Sequence, residues 1–127
     1  MPAAPAPTIL VVDDDLNSLS LIARSLEHAG FRVVRASSAQ DAKVLAQPGE
    51  QDLIVSDVNM PELRGPELVK QLKASGVTCP VLFVSGEGSY EALDESLKVP
   101  GATFLQKPFT PAELVRAVFE TLSPEPG

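Results

Sequence analysis

The sequence predicts a single α/β domain in which five short strands alternate strictly with five helices. Two observations carry that expectation. Short apolar runs alternate along the chain with stretches whose apolar residues recur at helical spacing, the pattern of a parallel sheet covered by helices on both faces. The length, 127 residues, is close to that of one domain and allows a sizeable core without disulfide or metal staples.

The first run, Thr8-Ile9-Leu10-Val11-Val12, ends at Asp13-Asp14-Asp15. Leu16, Leu19, Ile22, Ala23 and Leu26 then give a helical stripe, and Gly30 supplies a stop. Phe31–Ala36 is a second strand, placed at an edge because Arg32 and Arg35 interrupt it. Ser38 can cap a short helix through Ala46, closed by Pro48-Gly49. Leu53–Asp57 is the third strand, again ending on an acid. Pro66 suits the first turn of a helix that turns Leu68, Val69 and Leu72 inward and stops at Gly76.

Val81–Ser85 is the fourth strand. In Gly86–Gly101, Tyr90, Leu93 and Leu97 have helical spacing, but the glycines and Pro100 leave room for only a short helix. Thr103–Gln106 is the fifth strand, and Thr110-Pro111-Ala112-Glu113 is a capping box with Pro at the first helical position. Leu114, Val115, Val118, Phe119 and Leu122 form the buried stripe of that last helix. Right-handed crossovers leave few topologies. The expected one is a flavodoxin-like three-layer sandwich with strand order 2-1-3-4-5, whose ligands bind at the carboxyl ends between strands one and three. The domain is expected over 8–122, with proline-bearing tails over 1–7 and 123–127 as flexible ends.

Composition narrows the function classes. A net charge of -7 opposes binding to a phosphate backbone, so direct nucleic-acid contact is not expected. No apolar run approaches the roughly 20 residues of a membrane span, and the opening residues lack the pattern of a secretion signal. A cytoplasmic location is the expectation. Cys79 is the single cysteine and reads as an inert, buried thiol. His28, the single histidine, reads as a surface helix residue.

The chemistry gathers at strand ends: Asp13 and Asp14, Asp57, Ser85 and Lys107 each follow or end an apolar run. In a parallel sheet these ends share one edge. Carboxylates meeting there repel one another unless a cation is present, and Mg2+ prefers such hard oxygen ligands. A carboxylate beside Mg2+ can attack a phosphoryl group and form an acyl phosphate. Lys107 would add a point charge and Ser85 a hydroxyl donor, enough for a reaction that depends mainly on positioning and electrostatics. Taken singly, the acids read equally as a helix cap or a turn former, and Ser85 as a structural serine.

With these residues in view, the sequence resembles the receiver domain of two-component response regulators over nearly all of Thr8 to Leu122. The resemblance rests on Ile9–Asp15, on Asp57-Val58-Asn59-Met60-Pro61 with Gly65, on Ser85-Gly86, and on Lys107-Pro108-Phe109. It implies that Asp57 takes phosphate from a histidine kinase or histidine phosphotransfer protein, or from a small donor. It also implies Mg2+ held by Asp13, Asp14, Asp57 and the Asn59 backbone carbonyl, with Lys107 and Ser85 on the phosphoryl group. Ser85 and Phe104 would be the switch residues, and Lys107-Pro108 is commonly cis in such domains. Asn59 and Glu87 occupy positions that tune dephosphorylation, and this polar pair resembles fast-cycling members. The wording of Phe104–Pro111 is similar to receivers fused to hybrid sensor kinases, and the implied assembly is a monomer or a phosphorylation-dependent dimer. One departure is Pro100-Gly101-Ala102-Thr103, which stands where a longer acidic turn is common.

The implied role is a signalling module rather than an enzyme acting on a separate substrate. Two alternatives remain open at this point. One is a pseudo-receiver that binds partners without taking phosphate, although no acidic or lysine position of the pattern is missing. The other is a small phosphatase with an Asp nucleophile, which usually needs a second Asp where Asn59 stands. A nucleotide-binding protein is disfavoured, because Asp13–Asn17 occupies the place of a glycine-rich loop.

Overall fold

A computed structural model describes residues 6–86 and 90–122. The elements run β1 (Thr8–Val12), α1 (Leu16–His28), β2 (Arg32–Ala36), α2 (Ala39–Leu45), β3 (Leu53–Asp57), α3 (Gly65–Ala74), β4 (Val81–Ser85), α4 (Tyr90–Leu97), β5 (Ala102–Gln106) and α5 (Pro111–Leu122). All four strand pairings are parallel and give the order β2-β1-β3-β4-β5. The expected alternation and strand order are therefore observed. The expected tails lie largely outside the described residues, at 1–5 and 123–127.

Strand periodicity divides the core in two. Successive strand side chains point to opposite faces, so Ile9 and Val11 join Leu53, Val55, Leu82 and Val84 on one side, with Leu19, Ile22 and Leu26 of α1 and Leu114 and Val118 of α5. Leu10 and Val12 join Ile54, Val81 and Phe83 on the other, with Ala42 of α2, Leu68 and Leu72 of α3 and Ala92 of α4. The central strands are buried on both faces, which is why they read as unbroken Val/Ile/Leu runs rather than alternating ones. At the edge, Arg32 and Arg35 of β2 are exposed, and Arg35 pairs with Glu27 of α1 at 2.9 Å.

Helix ends follow the local chemistry. The Asp15 carboxylate accepts from the backbone N–H of Asn17 and Ser18, and Ser38 Oγ accepts from Asp41 N–H. The capping box is reciprocal: Glu113 N–H donates to Thr110 Oγ1 at 3.1 Å, and Thr110 N–H donates to Glu113 Oε1 at 2.9 Å. After α1 and α3 the chain turns through Gly30 and Gly76 at φ 101° and 99°, a region that Cβ-bearing residues rarely enter.

Several side chains lie elsewhere than their spacing implied. Leu16 opens α1 exposed, and Phe119 of α5 is 54% exposed, packing on Phe31 with ring centroids 5.2 Å apart. The larger difference is in α4. Its buried face consists of Ala92 and Ser96, while Tyr90 and Leu97 are 89% and 57% exposed. The apolar spacing marked a real helix, but one that turns its small residues to the sheet and its large ones outward.

Candidate functional site

The carboxyl ends of the parallel strands bring the acids together. Asp13 follows β1 directly and Asp57 is the last residue of β3. Both are buried, whereas Asp14 is exposed at the mouth. One carboxylate oxygen from each of Asp13, Asp14 and Asp57 lies within 4.8 Å of the others. Lys107, one residue past β5, places Nζ 3.1 Å from Asp13 Oδ2 and 4.0 Å from Asp57 Oδ2. Its backbone N–H donates to the Ser85 carbonyl at 2.8 Å, which ties it to the end of β4, and its bond to Pro108 is cis.

Each carboxylate oxygen of Asp13 has a partner. Its Oδ1 accepts from Asp15 N–H at 2.9 Å and its Oδ2 from Lys107 Nζ. Asp57 is less well paired, since Asn59 N–H donates to its Oδ1 at 3.3 Å and Lys107 stays at the limit of an ion pair. Burial pushes its carboxyl from 3.8 up to about 6; Lys107 opposes this, the charges of Asp13 and Asp14 add to it, and the Asn59 N–H opposes it. The pocket thus carries more negative charge than one lysine offsets. The donor set consists of hard oxygens with no His or Cys among them, so a divalent cation of the Mg2+ type fits it.

Asn59 and Ser85 also meet at this edge. Ser85 is buried, and its Oγ accepts from Asn59 Nδ2 at 3.3 Å. Phe104 is half-buried in β5, packed against the core on the α2-α3-α4 side, opposite Phe83 in the register. Glu87 lies outside the described residues. Gly65 passes so close to the end of β3 that a Cβ there would overlap the Asp57 carbonyl oxygen and sit 3.1 Å from Ser56 Oγ. That approach explains why a glycine must follow this loop.

Sequence reasoning missed Arg64 and Glu95. The Arg64 guanidinium grips Glu95 of α4 through Nε and Nη2 at 2.9 and 2.7 Å, and Nη1 donates to Asn59 Oδ1 at 3.0 Å. Both are charged surface residues 31 positions apart, and no local pattern announces such a pair. Away from this edge, an open groove of about 1060 Å³ lies between α1 and α5 beside Leu21, His28, Val115 and Phe119. None of the strand-end carboxylates lines it, so its size does not make it the chemical site.

Comparison with known proteins agrees with this geometry. The model of the response regulator receiver domain family matches residues 9–119. The transcriptional regulatory protein PrrA of Mycobacterium tuberculosis is 37% identical over 113 residues, covering 89% of this chain and 48% of that protein. Among solved structures, the chemotaxis protein CheY4 of Vibrio cholerae aligns with a TM-score of 0.83 at 31% identity, covering 91% of this chain and 98% of that one. The receiver domain of the hybrid histidine kinase CckA aligns with a TM-score of 0.76 at 34% identity, covering 91% and 98%. The chain spans about half the length of the curated relatives it matches.

Proposed function

The chain belongs to the response-regulator receiver family of two-component signalling, and we propose that it accepts a phosphoryl group on Asp57 and thereby switches a protein-interaction surface. The observation that carries this reading is the meeting of Asp13, Asp14 and Asp57 within 4.8 Å beneath the Lys107 ammonium. An Asp57 oxygen attacks the phosphorus of a phosphohistidine on a histidine kinase or histidine phosphotransfer protein. A P–O bond forms and the P–N bond breaks, and the departing imidazole keeps the electron pair and takes a proton. Asp57 must be ionised to attack, and a carboxyl raised to about 6 is still largely ionised at neutral pH while being more basic than an ordinary carboxylate.

Asp13, Asp14, Asp57 and the Asn59 backbone carbonyl would hold Mg2+, which when bound supplies positive charge beside the phosphoryl oxygens. Lys107 leans toward the same oxygens, and Ser85 exchanges its bond with Asn59 for one to the phosphoryl group. Phe104 follows Ser85 as the second switch residue. The reporting surface is the side of α4, β5 and α5, where Tyr90, Leu93 and Leu97 line a shallow outward cavity. Asn59 and Glu87 are the residues that tune spontaneous dephosphorylation. The domain works as a monomer or pairs on phosphorylation, and it turns over no separate substrate.

No described helix is long and apolar enough to cross a membrane, and a cytoplasmic setting is part of the proposal. The acidic balance of the domain leaves direct nucleic-acid contact out of it. Mass spectrometry after incubation with acetyl phosphate and Mg2+ tests the reading. A gain of one phosphoryl group at Asp57, lost in Asp57→Ala, is expected. A folded wild-type protein that gains nothing would instead be a pseudo-receiver.

A further inference from the structure

Arg64 is the N-cap residue of α3, yet it makes no side-chain cap hydrogen bond. Its guanidinium is committed elsewhere. Two of its nitrogens hold both oxygens of Glu95 on α4, and a third, Nη1, donates to Asn59 Oδ1. A guanidinium has donors and no acceptor. The amide edge that faces it must therefore be the oxygen, and the Asn59 NH2 must face Ser85 Oγ, as it does at 3.3 Å. A planar fork seated on a carboxylate has little rotational freedom, so the direction of Nη1 is set by the position of α4.

Resting on the reading of Asp57 as phosphoacceptor, we propose that Arg64, clamped by Glu95, is a positioning residue that sets the lifetime of the phosphorylated state through the Asn59 amide. In the hydrolysis of an acyl phosphate, a water oxygen bonds to phosphorus as the bond from phosphorus to the Asp57 oxygen breaks. The carboxylate leaves with the electron pair, and the water proton passes to solvent. The water spends a lone pair on phosphorus and has protons to offer, so an acceptor aligns it without weakening it, whereas a donor to its second lone pair would draw electron density from the attacking oxygen. The one side-chain acceptor of Asn59 is turned to Arg64. What the clamped amide presents beside Ser85 is a donor, which can hold a serine or phosphoryl oxygen but does not steer the attack. Loosening the clamp lets the amide turn its oxygen inward. Any partner that competes for Glu95 on α4 would then shorten the signal.

The test is decay of the phosphoryl label on the full chain after loading with acetyl phosphate and Mg2+ and removal of the donor. Arg64→Ala is expected to lose label roughly three- to tenfold faster than wild type, the range of one modest hydrogen bond. Glu95→Gln should move the rate the same way by a smaller factor, because it weakens the clamp without removing the donor. In an Asn59→Ala background, Arg64→Ala should produce no further change, since its route of action is gone. Arg64 and Glu95 have side chains 45% and 36% exposed, so these variants remove no core packing, and thermal melts report any loss of stability separately. Decay in Arg64→Ala that is unchanged or slower overturns the proposal, as does an acceleration that survives undiminished without the Asn59 amide. Failure of the wild type to take label at all would overturn the phosphoacceptor reading beneath it.

Discussion

Replacing Asp57 by asparagine should make the metal-free protein more stable at neutral pH, although it removes the residue on which the chemistry depends. The structure gives the size of the effect. A carboxyl raised from 3.8 to about 6 places about 3 kcal/mol of cost on the ionised native state at pH 7. Asparagine keeps the volume and drops the charge, and Lys107 retains Asp13 at 3.1 Å as its partner. A gain of about 1–3 kcal/mol is expected, or roughly 4–11 °C in Tm for a domain of this size.

The pH dependence follows in sign. Between about pH 4 and pH 6 the native protein keeps a proton on Asp57 that the unfolded chain has released. Raising the pH through that window therefore costs the wild type stability that the variant does not lose. Urea unfolding in EDTA should show Asp57→Asn ahead at pH 7.5 and the difference falling below about 1 kcal/mol at pH 4.5. A variant no more stable than wild type at pH 7.5, or a gap of constant size at both pH values, would refute the argument from burial and crowded charge.

Two further outcomes follow from the same edge of the sheet. Mg2+ at about a hundred times its dissociation constant should stabilise the wild type by about 2.7 kcal/mol, and Asp13→Asn or Asp14→Asn should remove most of that rise in thermal melts; a full rise in both variants would place the cation elsewhere. Gly65→Ala should lose about 1–3 kcal/mol in denaturant unfolding and weaken phosphoryl labelling of Asp57 as well, because the added methyl would meet the Asp57 carbonyl, which is backbone and cannot rotate away. Unchanged stability in that variant would mean that the loop yields.

Much of this was legible because parallel-sheet geometry turns sequence position into spatial position. Residues that follow the apolar runs must share one edge, so Asp13, Asp14, Asp57, Ser85 and Lys107 could be grouped before any distance was known. The three acids and Lys107 do meet, and Ser85 joins them through Asn59. Which face a helix buries was less legible. In α1 the apolar stripe is broad, and only its first member, Leu16, strays outward. In α4 the large residues Tyr90, Leu93 and Leu97 outweigh Ala92 and Ser96 in any reading by hydrophobicity, yet the small ones face the sheet. The buried Ser96 hydroxyl closes onto Ala92 O at 2.7 Å, so it enters the core without an unmet hydrogen bond.

That arrangement bears on why a long-range ion pair belongs at this place. A helix of eight residues is marginal by itself, since helices this short draw their stability from tertiary packing. Burying Ala92 and Ser96 supplies little apolar area compared with Leu19, Ile22 and Leu26 of α1. The position of α4 therefore depends more than that of α1 on the few polar contacts it makes, and the bidentate grip of Arg64 on Glu95 is the strongest of those the structure defines. An element held lightly by packing and by one partly exposed polar fork belongs to the part of a fold that opens at low free-energy cost. The same fork ends on Asn59 beside Ser85, so a change at the strand ends and a change in α4 act on one shared contact. Tyr90 and Leu97 face outward from that same helix, so any change in its position would alter the exposed surface.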